Sequence, residues 1–324
     1  MTGPPQSAEP LPAEVAEKVR AGAFLLVDKP RGPTSHQVTA WVRDLLGVER
    51  AGHAGTLDPN VSGLLWIGVG PALKLLPLIL EFPKRYVGVV VLHGAADVRA
   101  VKRAIAEFQA PIYQTPPVRS AVRRERRVRR IHRLTLLETE GTSLLIDVVA
   151  DSGTYIRTLA VDLGEALGVG AHLVELRRVG TGPFTEEAAV TLSEIADAKA
   201  RADSGDVSSL LGLLHPIREV WAEFPTVVLR DAAASAVAHG ADLARGGIAS
   251  TSRPFARGAR VALVDRKGEL MATGRALVGS EEISQVKEGW VIDADRVFVD
   301  PGRFPPTWRK DTVERTAGPT DEQS

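Results

Sequence analysis

Apolar positions along this chain fall into two textures. Buried-strand runs and helical patterns alternate through the first two thirds; beyond Trp221 short strands dominate. A short helical pattern near Ala13–Val19 comes first. Ala23–Val27 reads as a buried strand, closed by Asp28-Lys29-Pro30-Arg31-Gly32-Pro33. Ser35 is the expected cap of a helix to Leu46, with Val38, Val42, Leu45 and Leu46 on one face and Gly47 as its stop. A strand near Leu64–Val69 and a proline-broken helix follow, then a central strand at Tyr86–Leu92. Asp97 caps a helix in which Val98, Val101, Ile105 and Phe108 keep helical spacing. Strands near Leu134–Glu138 and Leu144–Ala150 join around Gly141. A helix over Thr154–Leu167 buries Ile156, Leu159, Leu163 and Leu167 and ends at Gly168. Asp197–Ser209 is small, charged and glycine-containing, which predicts a surface linker. In the last part, strands at Thr226–Leu229, Arg260–Asp265 and Glu269–Leu277 surround a helix capped by Asp231 and ended by Gly240. The Arg266-Lys267-Gly268 turn predicts a hairpin there.

Composition narrows the function classes. The 324 residues contain no cysteine, which excludes disulfides, zinc-thiolate sites and thiol nucleophiles. No basic region followed by an apolar core opens the chain, so the cytoplasm is expected. The apolar run Val61–Leu80 has spanning length, but Lys74, Pro71 and Pro77 argue for core segments rather than a membrane helix. Net charge is zero, yet its distribution is uneven. Arg119 to Arg133 holds eight arginines and one acid, Glu125. That segment reads either as a solvated surface or as a phosphate-tracking loop, stiffened by Pro116-Pro117 behind Tyr113.

One carboxylate stands out. The stretch His53-Ala54-Gly55-Thr56-Leu57-Asp58-Pro59-Asn60-Val61-Ser62-Gly63 frames Asp58 with glycines and a proline. Asp-Pro followed by Ser-Gly is also ordinary turn chemistry, so the loop alone supports either reading. A carboxylate, with a reference pKa near ~4, is ionised at neutral pH. It needs no activating partner to serve as nucleophile or base. Tyr86, heading an apolar strand, reads as a partly buried core tyrosine or as a stacking platform for a base. Arg157 enters an otherwise apolar helix, which is costly unless a carboxylate pairs with it; Asp58 would serve. His172 and Glu175 share a helix-like spacing, a pairing more often structural than metal-binding. No nucleophile elbow is visible, and Gly68-x-Gly70 lacks the third glycine of a dinucleotide fingerprint.

Five segments, in order, resemble the TruB-type pseudouridine synthases, and most closely the archaeal relatives of dyskerin, the catalytic subunits of H/ACA RNA-guided complexes. They are LLVDKPRGPTSHQVTAWVRDLLG (25–47), AGHAGTLDPNVSGLL (51–65), KRYVGVVVLHG (84–94), SGTYIRTLAVDLGEALGVGAHLVELRRVGTGPF (152–184) and VVLRDAAASAVAHGADLARGGIA (227–249). The last is similar to a PUA domain, an RNA-binding module. The resemblance implies an α+β fold. Its catalytic domain, with a mixed, largely antiparallel central sheet, would span 21–215 and its small β-rich PUA domain 220–300. Residues 1–20 would be an N-terminal extension packing on the PUA domain, and 301–324 a tail.

By position, the resemblance implies that Asp58 is the catalytic aspartate, Tyr86 the base-stacking tyrosine and Arg157 the partner of the aspartate. Leu176 would pack near the flipped base and His53 would contact RNA; Lys29 and Pro30 would be structural. Arg119, Arg123, Arg124 and Arg126 would lie in a loop closing over RNA. Gly240, Arg245, Gly246 and Gly247 would face RNA on the PUA domain. The implied reaction isomerises uridine to pseudouridine in guided rRNA, in the tRNA T-loop, or both, without metal or cofactor. The implied partners are RNA (an H/ACA guide RNA, target rRNA and tRNA), a zinc-ribbon-type scaffold protein, a Gar-type protein and a kink-turn-binding ribosomal-type protein, with no membrane involved. The alternatives are a stand-alone tRNA T-loop enzyme and, in another class, a non-catalytic RNA-binding scaffold. Two departures are Ala54, where serine is usual, and a divergent stretch over 195–215.

Overall fold

Capping and turn residues decide where the elements of this chain begin. Its structure, a computed structural model, describes residues 11–115 and 125–304. Two compact units divide between Val220 and Trp221.

The first unit is built on a ten-stranded sheet. Its main path runs His215–Pro216, Ala23–Lys29, Ser62–Val69, Ala171–Thr181, Lys84–Leu92, Ser143–Ala150, Arg127–Glu140 and Pro111–Gln114. Neighbours along this path are antiparallel, except that Ser62–Val69 meets Ala171–Thr181 in parallel. This is the mixed, largely antiparallel sheet of the expected α+β fold. The Tyr86 strand, Lys84–Leu92, lies inside it with partners on both edges.

Two apolar cores hold the unit. In one, Leu25, Val27, Leu65 and Ile67 pack with helices Ser35–Leu46 and Leu192–Asp203. In the other, Val90, Ile146 and Val148 pack with helices Val98–Glu107 and Ile156–Ala166. The N-terminal segment expected on the PUA domain contributes its described part to the first unit. In helix Ala13–Ala21, Val15 is buried in the Leu25 core and Lys18 Nζ donates to the Leu211 carbonyl (2.7 Å). Residues 1–10 lie outside the described residues.

Several boundaries differ from the sequence expectation, each for a local reason. Thr34, not Ser35, caps the helix to Leu46, in a reciprocal capping box with Gln37. The Ser35 hydroxyl is thereby free for the Asp58 loop. The helix expected from Thr154 starts at Ile156, because the Gln114 side chain holds both backbone groups of Tyr155 in a non-helical cap (2.9 and 3.0 Å). Asp197–Ser209 is not a linker: Thr191 and Glu194 form a capping box for helix Leu192–Asp203, whose Ile195, Ala198 and Ala202 are core residues. The strand expected near Leu134 begins at Arg127, with Arg127 and Arg129 half-buried and Val128 and Arg130 exposed between and after them.

The second unit carries a six-stranded sheet, ordered Leu243–Ala244, Trp290–Val297, Leu270–Ala276, Arg260–Val264, Thr226–Leu229 and Ile248–Thr251. The expected hairpin forms between Arg260–Val264 and Leu270–Ala276. Asp265 Oδ1 accepts from the Lys267 and Glu269 amides across its turn (2.9 and 2.8 Å). Helix Asp231–Ala238 is capped by Arg230 rather than Asp231, which sits in the first turn where a negative charge suits the helix dipole. Residues 305–324 lie outside the described residues. Among the described residues no helix is long and apolar enough to cross a membrane. The Val61–Leu80 run folds instead as strand Ser62–Val69, a 3₁₀ turn at Gly70–Leu75 and helix Leu76–Glu81.

Candidate catalytic site

The loop that carries Asp58 is fixed mainly through its backbone. The buried Ser35 hydroxyl accepts from the Leu57 amide (2.8 Å) and donates to the Leu57 carbonyl (3.0 Å). The Pro59 carbonyl takes the Gly32 amide (2.8 Å) and, at longer range, Lys29 Nζ (3.4 Å), which also donates to the Pro30 carbonyl. Burial pushes the Lys29 ammonium below its ordinary range, and the Asp58 charge pulls it back. Val61 N donates to the Asp58 carbonyl (3.0 Å) and closes the turn. His53 pairs through Nδ1 with the Thr39 hydroxyl (3.0 Å) and lies edge-on to His36 at 4.7 Å. Burial holds this imidazole below its usual pKa, with smaller contributions from the His36 and Arg178 charges.

With its backbone so held, the Asp58 carboxylate projects into solvent and meets Arg157. Arg157 Nη2 donates to Asp58 Oδ2 at 2.8 Å, joining residues 99 positions apart. The two side chains are 56% and 60% exposed, so Arg157 is not the buried helix residue that its sequence setting suggested. An ion pair this open contributes about 0–1 kcal/mol to stability. Its consequence is therefore orientation: the guanidinium fixes where an ionised carboxylate points.

Tyr86 is half-buried, packing against the Val90–Ile146–Leu159 core together with Leu176. The structure thus places Tyr86 as the partly buried core tyrosine of the first reading. Leu176 lies across the strand pair from Gly88, where its Cδ1 is 3.0 Å from the place a Cβ would occupy. The missing side chain at Gly88 makes room for Leu176. Arg126 lies over the Tyr113 ring, 4.4 Å from its centre. Arg119, Arg123 and Arg124 lie outside the described residues. His172 and Glu175 sit on a strand, not a helix. His172 Nδ1 pairs with His93 Nε2 (2.9 Å), and Glu175 accepts from Arg31 (2.8 Å).

Two basic residues near Tyr86 escape the sequence reading. Lys84 Nζ donates to the Ile79, Leu80 and Phe82 carbonyls (3.0, 2.8 and 2.7 Å) at the end of helix Leu76–Glu81. Burial, then the Arg178 charge, push this ammonium down to about 7. Arg178 itself is 1% exposed, and its Nε donates to the Leu64 carbonyl at 2.7 Å. The signal was present: adjacent arginines at 177 and 178 on a strand must face opposite ways.

Three family models match successive parts of the chain. Residues 43–99 match the TruB family pseudouridylate synthase N-terminal domain, 157–221 the tRNA pseudouridylate synthase B C-terminal domain, and 225–298 the PUA domain. The probable tRNA pseudouridine synthase B of Pyrobaculum calidifontis is 47% identical over 307 residues, 94% of this chain and 92% of that protein. The chain belongs to the TruB family of pseudouridine synthases. The corresponding Methanothermobacter thermautotrophicus protein is 43% identical, over 95% of each chain. Among solved structures, the Cbf5 chain of a Cbf5-Nop10-Gar1 complex matches with a TM-score of 0.82 and 37% identity, covering 94% of this chain and 93% of that one. A chain from an H/ACA RNP bound to a substrate RNA containing 2'-deoxyuridine matches at 0.79 and 35%, covering 95% and 94%. This TruB family is one of enzymes, which decides against the non-catalytic scaffold.

The PUA domain of this TruB-family enzyme has a cleft of about 690 Å³, lined by Arg230, Arg245, Gly246, Lys287 and Glu288 among others. Arg245 and Gly246, two of the residues expected to face RNA, are in this lining. Gly240 and Gly247 are not part of its lining. Gly247 is instead a packing glycine, since a Cβ on it would come within 2.6 Å of Ala233 and 2.7 Å of Leu243. Arg230 and Lys287 went unread because they approach Arg245 only through the fold.

Proposed function

We propose that Asp58 is the catalytic carboxylate of an RNA-guided uridine isomerisation. The observation that carries this reading is the Asp58–Arg157 pair, an ionised carboxylate presented to solvent on an immobilised loop. In the overall reaction the N1–C1′ bond of uridine breaks and a C5–C1′ bond forms, while a proton leaves C5 and one is gained at N1. Flipping the nucleotide from its stack costs a few kcal/mol. Stacking on Tyr86 offsets roughly 1–3 kcal/mol of that. Arg157 orients Asp58, Leu176 packs beside the base, and His53 contacts RNA close to the site. The arginines at 119, 123, 124 and 126 hold phosphates by charge.

Similarity to Cbf5 chains over catalytic and PUA domains alike supports guided action. On that reading a guide RNA docks on the PUA cleft. Partners related to the Nop10 and Gar1 proteins of the solved complexes, together with a kink-turn-binding protein, complete a cytoplasmic particle. A second reading has its own support, because the curated relatives are named for tRNA. There the chain modifies the tRNA T-loop unaided. Pseudouridine mapping on a tRNA transcript and on a guide-paired target, with and without partner proteins, tests the two. Guided action predicts product on the paired target only when guide and partners are present. Product on tRNA from the chain alone, with none on the paired target, would overturn it.

A further inference from the structure

The side chain least explained by fold stability is Arg178. It is almost wholly buried, and its Nη2 has no hydrogen-bond partner among the described residues. A buried cation without a carboxylate is costly, and an apolar residue of similar volume would commonly serve stability as well or better. Burial pushes the Arg178 pKa down; the group that opposes this is the Tyr86 hydroxyl, by charge and by a side-chain hydrogen bond.

Its location is as specific as its chemistry. Arg178 is paired through its backbone with Gly63, just past the Asp58 loop, and with Tyr86 on the opposite strand. Gly63 has φ +102°, and a Cβ there would lie 2.2 Å from the Arg178 carbonyl oxygen, so the strands meet as closely as backbones can. A register shift between Arg85 and Tyr86 leaves Val179 as an extra residue beside this contact. Bulges of this kind re-aim side chains near active sites. The side chain repeats the connection. Nε holds the Leu64 carbonyl, and Nη1 lies 3.0 Å from where a Gly55 Cβ would stand, beneath the Asp58 loop. One residue thus reaches the loop that carries the carboxylate with its side chain and holds the strand of the tyrosine that would carry the base through its backbone.

We propose that Arg178 is a positioning residue for the isomerisation, locking the Asp58 loop to the Tyr86 strand. This rests on the assignment of Asp58 and Tyr86 made above. The reach of its fork to the Leu64 carbonyl and to the Gly55 backbone is the reason for an arginine where methionine would fill the space.

The test uses the full chain, with the RNA that the wild type converts, in single-turnover assays beside RNA-binding and thermal-denaturation measurements. Arg178→Met should stay folded, with a melting temperature at or above the wild type, and bind RNA normally. Its conversion rate should fall about 100-fold, as a small misplacement of reacting groups can cause. Arg178→Lys keeps the charge and loses the fork, and should be folded and slow. A normal rate for either Arg178 variant overturns the proposal. So does a rate loss that tracks a lowered melting temperature and is restored with it by lysine, which marks a purely structural peg. Asp58→Asn is assayed alongside. If it converts RNA normally, the site assignment itself fails; if it is inactive while Arg178→Met is normal, only the present proposal fails.

Discussion

The Asp58 loop and the Arg245 cleft are both polar, glycine-bearing surfaces, and they are built in opposite ways. Around Asp58 the backbone at Leu57, Asp58 and Pro59 is fixed by Ser35, Val61 and Gly32, with Lys29 adding a longer contact. Around Arg245, Gly246 has nothing within 4 Å of where a side chain would stand, and among the described residues the Arg245 side chain makes one hydrogen bond, to the Val286 carbonyl (3.2 Å). Bond-making chemistry demands placement to a fraction of an ångström, whereas attraction to a phosphate backbone tolerates slack. The contrast supports the proposed division of chemistry at the first surface and docking at the second.

Substitutions can break that contrast, beginning with the tightest contact. Gly63→Ala places a methyl group against the Arg178 carbonyl at a positive φ. A loss on the order of 3 kcal/mol or more is expected, and chemical denaturation would read it. A wild-type midpoint would mean that the strands beside the loop can separate freely. Ser35→Ala strands the Leu57 amide and carbonyl, for an expected loss of roughly 1–3 kcal/mol. Conversion should slow more than RNA binding weakens, since the loop loses its anchor while the basic surfaces remain. Arg245→Ala and Lys287→Ala should leave the melting temperature unchanged. Each should make the salt dependence of guide-RNA affinity shallower by about 0.7–0.9 in log–log slope. A loss confined to conversion rate would move the cleft out of the docking class.

The smallest effect is a pH dependence. His53 has its folded pKa below the ordinary 6.5. Below 6.5 the unfolded chain takes up a proton that the folded loop refuses, so stability falls as pH drops from 6.5 toward the folded value. Above 6.5 this contribution is complete and flat. Replacing His53 with Gln should remove that part of the acid sensitivity in thermal melts.

How much of this could be read from the sequence follows from the range of each interaction. Asp58 and its frame were legible because proline and glycine announce a turn locally. Arg157 was legible because a charge interrupting an apolar helix asks for a partner, although its exposure was not foreseen. Helix Leu192–Asp203 was hidden because its core stripe is largely alanine, which reads as neutral in a charged background. The start of strand Arg127–Glu140 was hidden because arginines obscured its alternation. Strand alternation signalled that one of Arg177 and Arg178 faces inward, but the neighbours of Arg178, like the Arg230–Lys287 lining, were beyond local reading because the sheets bring them together.

That Asp58 does chemistry, rather than only shaping a turn, is tested by single-turnover pseudouridine formation by Asp58→Asn, which keeps the side-chain shape and removes its charge, with RNA affinity measured in parallel. No detectable pseudouridine and nearly unchanged affinity are expected. Conversion at the wild-type rate would contradict this role for Asp58.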